Sequence, residues 1–227
     1  MCGIYCSNDL STFEILEEAN RERGNFATGV TWLNKETEEY EIIKYDKSID
    51  WKTEDEIPGD KDKNYIFLGH NQAPTSSQRG YDPNTSHPFI FGDWVVAHNG
   101  VLTNYKQLIK DLIPKHSNPV DSSVIPALLA ENDYIAGPPE DESDEVANIA
   151  NVLESLKGTF ALWIFNIRSF NVYIARQGST LFYNGTNVSS IKGMNYKEVS
   201  EGIIYKYSKE GFKSVEGFIV DSPFLTL

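Results

Sequence analysis

No segment of this chain is long and apolar enough to cross a bilayer as a helix. The N-terminus lacks a basic stretch followed by an apolar one, so no secretory signal is expected. Cysteine is scarce. Cys2 and Cys6 are the whole complement in 227 residues, which excludes a disulfide framework and points to a reducing, cytoplasmic setting. Positive charge is also short, with 20 Lys and Arg against 33 Asp and Glu and a formal net charge of −13. A surface of that sign repels phosphate backbones, so nucleic acid is not an expected partner, nor is a membrane. The plain consequence of the acidity is solubility. His70, His87, His98 and His116 share no metal-ligand spacing with one another or with the cysteines, so neither zinc nor any other cofactor is expected. Internal repeats and low-complexity linkers are absent as well.

What is present is enough apolar material for an ample core: 40% hydrophobic and 12% aromatic residues, suited to a single domain over residues 1–227. Residues 2–6 read as a short strand. Ser11 and Glu14 have capping-box spacing, with Leu10 as a possible staple, so a helix is expected from there to Arg23, stopped by a left-handed Gly24. Residues 29–34 and 40–45 form a β-hairpin pattern. A charged surface excursion follows over 46–64. Residues 65–69 and 94–97 are compact apolar runs that read as buried strands, the second ending at His98-Asn99-Gly100. Helices are expected over 104–112, after Asp121, and from Ser143 to a stop at Gly158. Residues 160–165 and 172–175 read as a second hairpin, and β-like runs return from Gly202. Strands that are apolar throughout need cover from other layers. The expected architecture is therefore α+β, with sheets sandwiched between helices.

The most informative residue is Cys2. Removal of Met1 would leave it with a free α-amine beside its thiol, one residue holding both nucleophile and base. An α-amine titrates near ~8, so a useful fraction is neutral at cellular pH. Read alone, Met1-Cys2-Gly3-Ile4 favours a cysteine packed in a first strand. Three further segments reverse this: Gly69-His70-Asn71-Gln72-Ala73-Pro74-Thr75, His98-Asn99-Gly100 followed by Asn104, and Val120-Asp121-Ser122-Ser123. Each is weak alone, since Asn-Gly is a common turn dipeptide.

Together and in this order, these segments resemble the class II glutamine amidotransferases, which are N-terminal-nucleophile hydrolases. The resemblance continues in Arg23-Gly24, His87-Pro88-Phe89, Gly158-Thr159-Phe160-Ala161-Leu162 and Ala175-Arg176-Gln177-Gly178-Ser179-Thr180-Leu181. It implies a four-layer αββα sandwich and a γ-glutamyl thioester on Cys2. It also implies an oxyanion site made by the Asn99 side chain and the Gly100 N–H, where a glycine lets backbone approach ligand. Asp121 matches the position that holds the substrate α-amine, and it would equally serve as a helix N-cap. Arg23 matches a site arginine, and it would equally be a solvated residue near a helix C-terminus. Thr75 either touches the substrate or orders its loop. The resemblance puts an arginine for the α-carboxylate where this chain has Gln72, and often an Asp where it has Phe26. Losing a charge-assisted pair costs on the order of 1–3 kcal/mol, and Arg79 is a possible replacement. Cys6 is expected simply to pack, and His70 and His98 to fix the active-site loops from strand ends.

Three readings follow. The first is a glutaminase domain that hydrolyses the side-chain amide of glutamine and passes ammonia to an acceptor synthetase or transferase supplied in trans, since residues up to Leu227 leave no room for one. The second is a hydrolase of another γ-glutamyl amide. The third is a catalytically silent binding or regulatory subunit on the same scaffold, against which stand the retained Cys2, Asn99, Gly100 and Asp121.

Overall fold

A computed structural model describes residues 2–58, 64–73, 80–112 and 118–219. The strand β1 (Gly3–Ser7) leads into α1 (Leu10–Asn20), then β2 (Ala27–Asn34), β3 (Glu39–Tyr45), β4 (Tyr65–Gln72), β5 (Phe89–Phe91) and β6 (Trp94–Leu102). Helix α2 (Tyr105–Asp111) comes next. A 3-10 turn at Asp121–Ser123 runs into α3 (Val124–Ala136), and α4 (Glu142–Ser155) follows. The remaining strands are β7 (Gly158–Asn166), β8 (Asn171–Gln177), β9 (Phe182–Asn184), β10 (Asn187–Ser189), β11 (Lys197–Glu198), β12 (Ile203–Ser208) and β13 (Gly211–Gly217). Among these residues no helix is long and apolar enough to cross a membrane.

The strands form two antiparallel sheets, one ordered β11-β9-β10-β1-β4-β2-β3 and the other β13-β12-β8-β7-β6-β5. Alternation of side chains along each strand sorts the apolar residues into three cores. In β1, Ile4 and Cys6 face the second sheet, where they meet Val95, Ala97 and Trp163. Tyr5 points the other way, onto Phe13 and Leu16 of α1. In β6, Val95 and Ala97 face the first sheet, while Trp94 and Val96 pack under α3 and α4 with Val124, Ile149 and Leu153. The layer order is therefore helix, sheet, sheet, helix, the expected sandwich. Cys6 is fully buried between the sheets, and burial pushes its thiol far above its ordinary value.

Several local expectations are corrected. The N-cap of α1 is Asp9, whose carboxylate accepts from Thr12 N at 2.7 Å. Ser11 lies inside the helix, so the capping box does not form. The helix stops at Asn20, and Gly24 is not left-handed. It is needed for closeness instead: a Cβ there would sit 2.4 Å from the Ala73 nitrogen and the Gln72 carbonyl carbon. The strand expected to end at Ala97 continues as β6 to Leu102, paired with β7 throughout. The short strands β9, β10 and β11, which complete the first sheet, were not anticipated.

Candidate active site

Two cross-sheet hydrogen bonds fix how the sheets sit on each other. Trp163 Nε1 of β7 donates to the Gly69 carbonyl of β4 at 3.0 Å. His70 Nε2 of β4 donates to the His98 carbonyl of β6 at 3.1 Å. Trp163 is paired with Ala97. Ala97 and His98 of β6 are thus level with Gly69 and His70 of β4, and one step further Asn99 comes level with Asn71 and Gln72. Gly3 is the β-partner of Asn71, which brings Cys2 to the same end of the sandwich. Alternation also gives the facing. Cys2 continues the inward face of Ile4 and Cys6, and Asn99 that of Val95 and Ala97. Residues 97 positions apart in sequence therefore face the interior of the sandwich at the same level.

Cys2 is a half-buried free thiol. Burial raises its pKa, Asp121 adds to the rise, and the Ala73 backbone N–H and the Arg23 guanidinium pull it back. All three partners are near enough to act on the sulfur. Arg23 is more than a solvated helix residue: its Nε donates to the Cys2 carbonyl at 2.8 Å. Asn99 is 2% exposed, and its amide nitrogen has no hydrogen-bond partner among the described residues. It is one of several buried polar atoms without a partner among the described residues, and the one beside Gly100, where a donor is free to meet a ligand. Gly100 has φ +153, and a Cβ there would lie 1.9 Å from the Thr159 carbonyl oxygen, so β6 and β7 approach at this level only because the residue is glycine.

Asp121 sits on the 3-10 turn beyond β6. Its Oδ2 accepts from Leu102 N at 2.8 Å and its Oδ1 from Ser122 N at 2.9 Å. The carboxylate thus ties the end of β6 to the start of α3. Asp121 and Gly100 also line a cleft of about 500 Å³ with Thr85, Val101, Leu102 and Tyr105. Gln72 is 3% exposed, and its side-chain oxygen accepts from His87 N at 3.3 Å. Phe26 N donates to the Gln72 carbonyl at 3.0 Å, extending the β2–β4 ladder past its end. Thr75, Arg79 and His116 lie outside the described residues.

The histidines act as bolts. Carbonyls only accept, so His70 carries its proton on Nε2 toward His98 O. His98 carries its own on Nε2 toward the Thr159 carbonyl at 3.2 Å. His98 Nδ1 then accepts from the Ser122 hydroxyl at 2.8 Å. Desolvation lowers both pKa values, that of His70 to about 3, so both rings are neutral. His98 lies within β6, not at its end. It joins the strand that carries Asn99 and Gly100 to the turn that carries Asp121. Ser122 was missed as a contributor, and only its place beside Asp121 hinted at it. No three His, Cys, Asp or Glu side chains among the described residues gather as metal ligands.

Comparison with known proteins gives a consistent family. The family described as "Glutamine amidotransferase domain" matches residues 75–192. A 7-cyano-7-deazaguanine synthase from Saccharolobus solfataricus is 27% identical over 161 residues, covering 69% of this chain and 32% of that protein. A glutamine–fructose-6-phosphate aminotransferase (isomerizing) from Methanococcus maripaludis is 29% identical over 180 residues, covering 73% of this chain and 28% of that protein. The chain thus spans about a third of the length of these relatives. Among solved structures, the glutamine phosphoribosylpyrophosphate amidotransferase from B. subtilis, complexed with ADP and GMP, matches with a TM-score of 0.70 and 19% identity. That match covers 97% of this chain and 50% of that one, and it speaks for the fold.

Proposed function

The chain belongs to the class II glutamine amidotransferase domain family, and from that premise we propose that it hydrolyses the side-chain amide of glutamine through Cys2 and delivers ammonia to an acceptor enzyme. The observation that carries the reading is the buried Asn99 amide nitrogen with no partner among the described residues, level with Cys2 across the sandwich.

The steps follow from the groups present. Met1 is removed, which frees the Cys2 α-amine. Burial holds the thiol above its ordinary value, so a base must take its proton, and the α-amine on the same residue does so. The thiolate attacks the side-chain carbonyl carbon of glutamine. A C–S bond forms and the carbonyl π electrons move onto oxygen. The Asn99 amide and the Gly100 N–H donate to that oxyanion, a contribution of about 3–4 kcal/mol per donor. Collapse breaks the C–N bond, and the departing nitrogen takes the proton held by the α-ammonium and leaves as ammonia. Water then adds to the γ-glutamyl thioester, losing a proton to the amine, and glutamate departs as the thiol reforms. In this reading Asp121 holds the substrate α-ammonium, and Arg23 acts at the nucleophile by fixing the Cys2 carbonyl. Thr75 is kept as a substrate contact. The ammonia acceptor is a synthetase or transferase, here proposed to act in trans.

A second reading is favoured by Gln72. Its side chain is neutral and already engaged with His87 N–H, so it brings no cation to an α-carboxylate. The second substrate class is therefore another γ-glutamyl amide. Ammonia release from glutamine, compared with amine release from γ-glutamyl amides, separates the two. The test of the main reading is intact-mass analysis before and after 6-diazo-5-oxo-norleucine. Loss of Met1, one adduct on Cys2 and ammonia from glutamine are expected. A processed chain that neither labels nor releases ammonia would overturn the main reading in favour of the second, another γ-glutamyl amide, or the third, a silent binding or regulatory subunit.

A further inference from the structure

A nucleophile at the end of a chain has a geometric difficulty. Once Met1 is gone, no residue precedes Cys2 to hold it, and regular strand structure begins only at Gly3. The sulfur is placed only as well as the Cys2–Gly3–Ile4 backbone is placed. On one side β4 supplies the ladder, with Gly3 opposite Asn71 and Ile4 opposite His70. On the other side the named partners in β10 stop at Ser189, opposite Tyr5. The last stretch before the nucleophile therefore needs another anchor.

Ser190 provides it with each of its polar groups. Its hydroxyl oxygen accepts from Ile4 N at 3.0 Å, taking the place of a ladder carbonyl where β10 has ended. Its backbone N–H donates to the Ile4 carbonyl at 2.8 Å. Its own carbonyl is turned away from the ladder and accepts from Arg23 Nη1 at 3.3 Å and from the Thr180 hydroxyl at 3.2 Å. The same guanidinium donates through Nε to the Cys2 carbonyl at 2.8 Å. Two routes thus run from Ser190 to the nucleophile, one through the Ile4 amide and one through Arg23. The residue is 1% exposed, and its buried hydroxyl is compensated by the bond from the Ile4 amide.

We propose that Ser190 is a positioning residue for the Cys2 nucleophile, holding the Cys2–Gly3–Ile4 backbone and the Arg23 guanidinium in register with the Asn99 donor. The inference rests on the reading of Cys2 as nucleophile. Its physical basis is the steep dependence of attack on alignment, where a displacement of about 1 Å can cost about 10²-fold in rate.

Ser190→Ala removes the acceptor of the Ile4 amide and keeps the rest of the side-chain volume. Ser7→Ala is the control. Ser7 Oγ donates to Asn187 Oδ1 at 2.8 Å, so it ties β1 to β10 at the end away from Cys2, and its loss loosens the same strand pair without touching the nucleophile. Both variants are compared with wild type for kcat and KM in ammonia release from glutamine, with melting temperature as the check on folding. Intact mass after 6-diazo-5-oxo-norleucine reports Cys2 alkylation, in which the diazo carbon takes the proton given up by the thiol, the thiolate bonds to that carbon and N2 leaves. The expectation is a kcat lower by tenfold or more in Ser190→Ala, with KM within twofold, slowed labelling of Cys2, and near wild-type kinetics in Ser7→Ala. Wild-type kcat and labelling in Ser190→Ala would overturn the inference while leaving Cys2 as the nucleophile. An equal kcat loss in Ser7→Ala would also overturn it, by assigning the effect to general loosening of β1. A wild-type chain whose Cys2 takes no label removes the nucleophile reading, and this inference with it. If Ser190→Ala does not fold, Thr180→Val replaces it as the variant, since it removes one donor to the Ser190 carbonyl. The same kcat-only loss, at least threefold, is then expected, and its absence refutes the proposal.

Discussion

Acid should weaken this fold at one identifiable ring. His70 is fully buried between the sheets, stacked on His87 with centroids 3.9 Å apart, and it donates to the His98 carbonyl. Desolvation lowers its pKa from 6.5 to about 3. The folded value lies below the unfolded one, so the stabilisation is fully present above pH 6.5 and is lost as pH falls toward 3. Through that window the unfolded chain takes the proton and the folded chain does not. Each pH unit removes about 1.36 kcal/mol, so acidification from pH 6.5 to 5 removes about 2 kcal/mol through this ring alone. The perturbation that isolates it is His70→Gln, whose amide nitrogen can occupy the place of Nε2 and keep the bond to His98 O without titrating. Urea unfolding of both proteins at pH 7.5 and pH 5 gives four free energies. The wild type should lose about 2 kcal/mol more than His70→Gln between the two pH values, whatever the variant costs at pH 7.5. Equal losses in the two proteins would refute the reasoning, because they would mean that the His70 ring is hydrated or charged in the fold.

Other consequences are as direct. Asn99→Ala should lower kcat for ammonia release by about 10²–10³ with KM little changed, because the donor meets only the oxyanion; a drop under tenfold would exclude that role. Gly100→Ala should lower the melting temperature sharply, since its Cβ would lie 1.9 Å from the Thr159 carbonyl oxygen at φ +153, and a melting temperature unchanged from wild type would show that β6 and β7 can separate there at no cost. Glu17 has a fully buried side chain that accepts from Arg21 and Trp51 Nε1, and its backbone carbonyl accepts from Asn71 Nδ2 at 3.0 Å. Glu17→Ala should cost about 3 kcal/mol in chemical unfolding, because it removes the carboxylate that Trp51 Nε1 donates to and leaves the Arg21 guanidinium with only the Ile49 carbonyl.

The candidate groups could be picked out along the chain because their signals are local. A cysteine at position 2, an Asn-Gly pair after an apolar run and an aspartate before a helix each keep their meaning wherever the chain folds. The layer order was legible too, since strands apolar on both faces demand cover from both sides. Reading failed where a residue serves something distant. Asn99-Gly100 has the composition of a turn, yet it continues β6, because β7 lies alongside to accept it and a turn would forfeit those pairs. Gly24 has the position of a helix stop, yet its smallness is demanded by the backbone of Gln72 and Ala73, which no helix rule contains. Arg23 looks solvated from its neighbours in sequence and is instead occupied by the carbonyls of Cys2 and Ser190.

The sequence alone determined which candidate atoms are available for chemistry: the thiol of Cys2, the amide of Asn99, the carboxylate of Asp121, and a glycine thin enough to let strands close. The tertiary structure decided at which level of the sandwich each of them sits. Bringing Cys2 level with Asn99 depends on how two sheets are offset, and that offset is set by buried bonds such as those from Trp163 to Gly69 and from His70 to His98. Their partners lie 94 and 28 residues apart, so the offset is a property of packed layers, and no local pattern carries it.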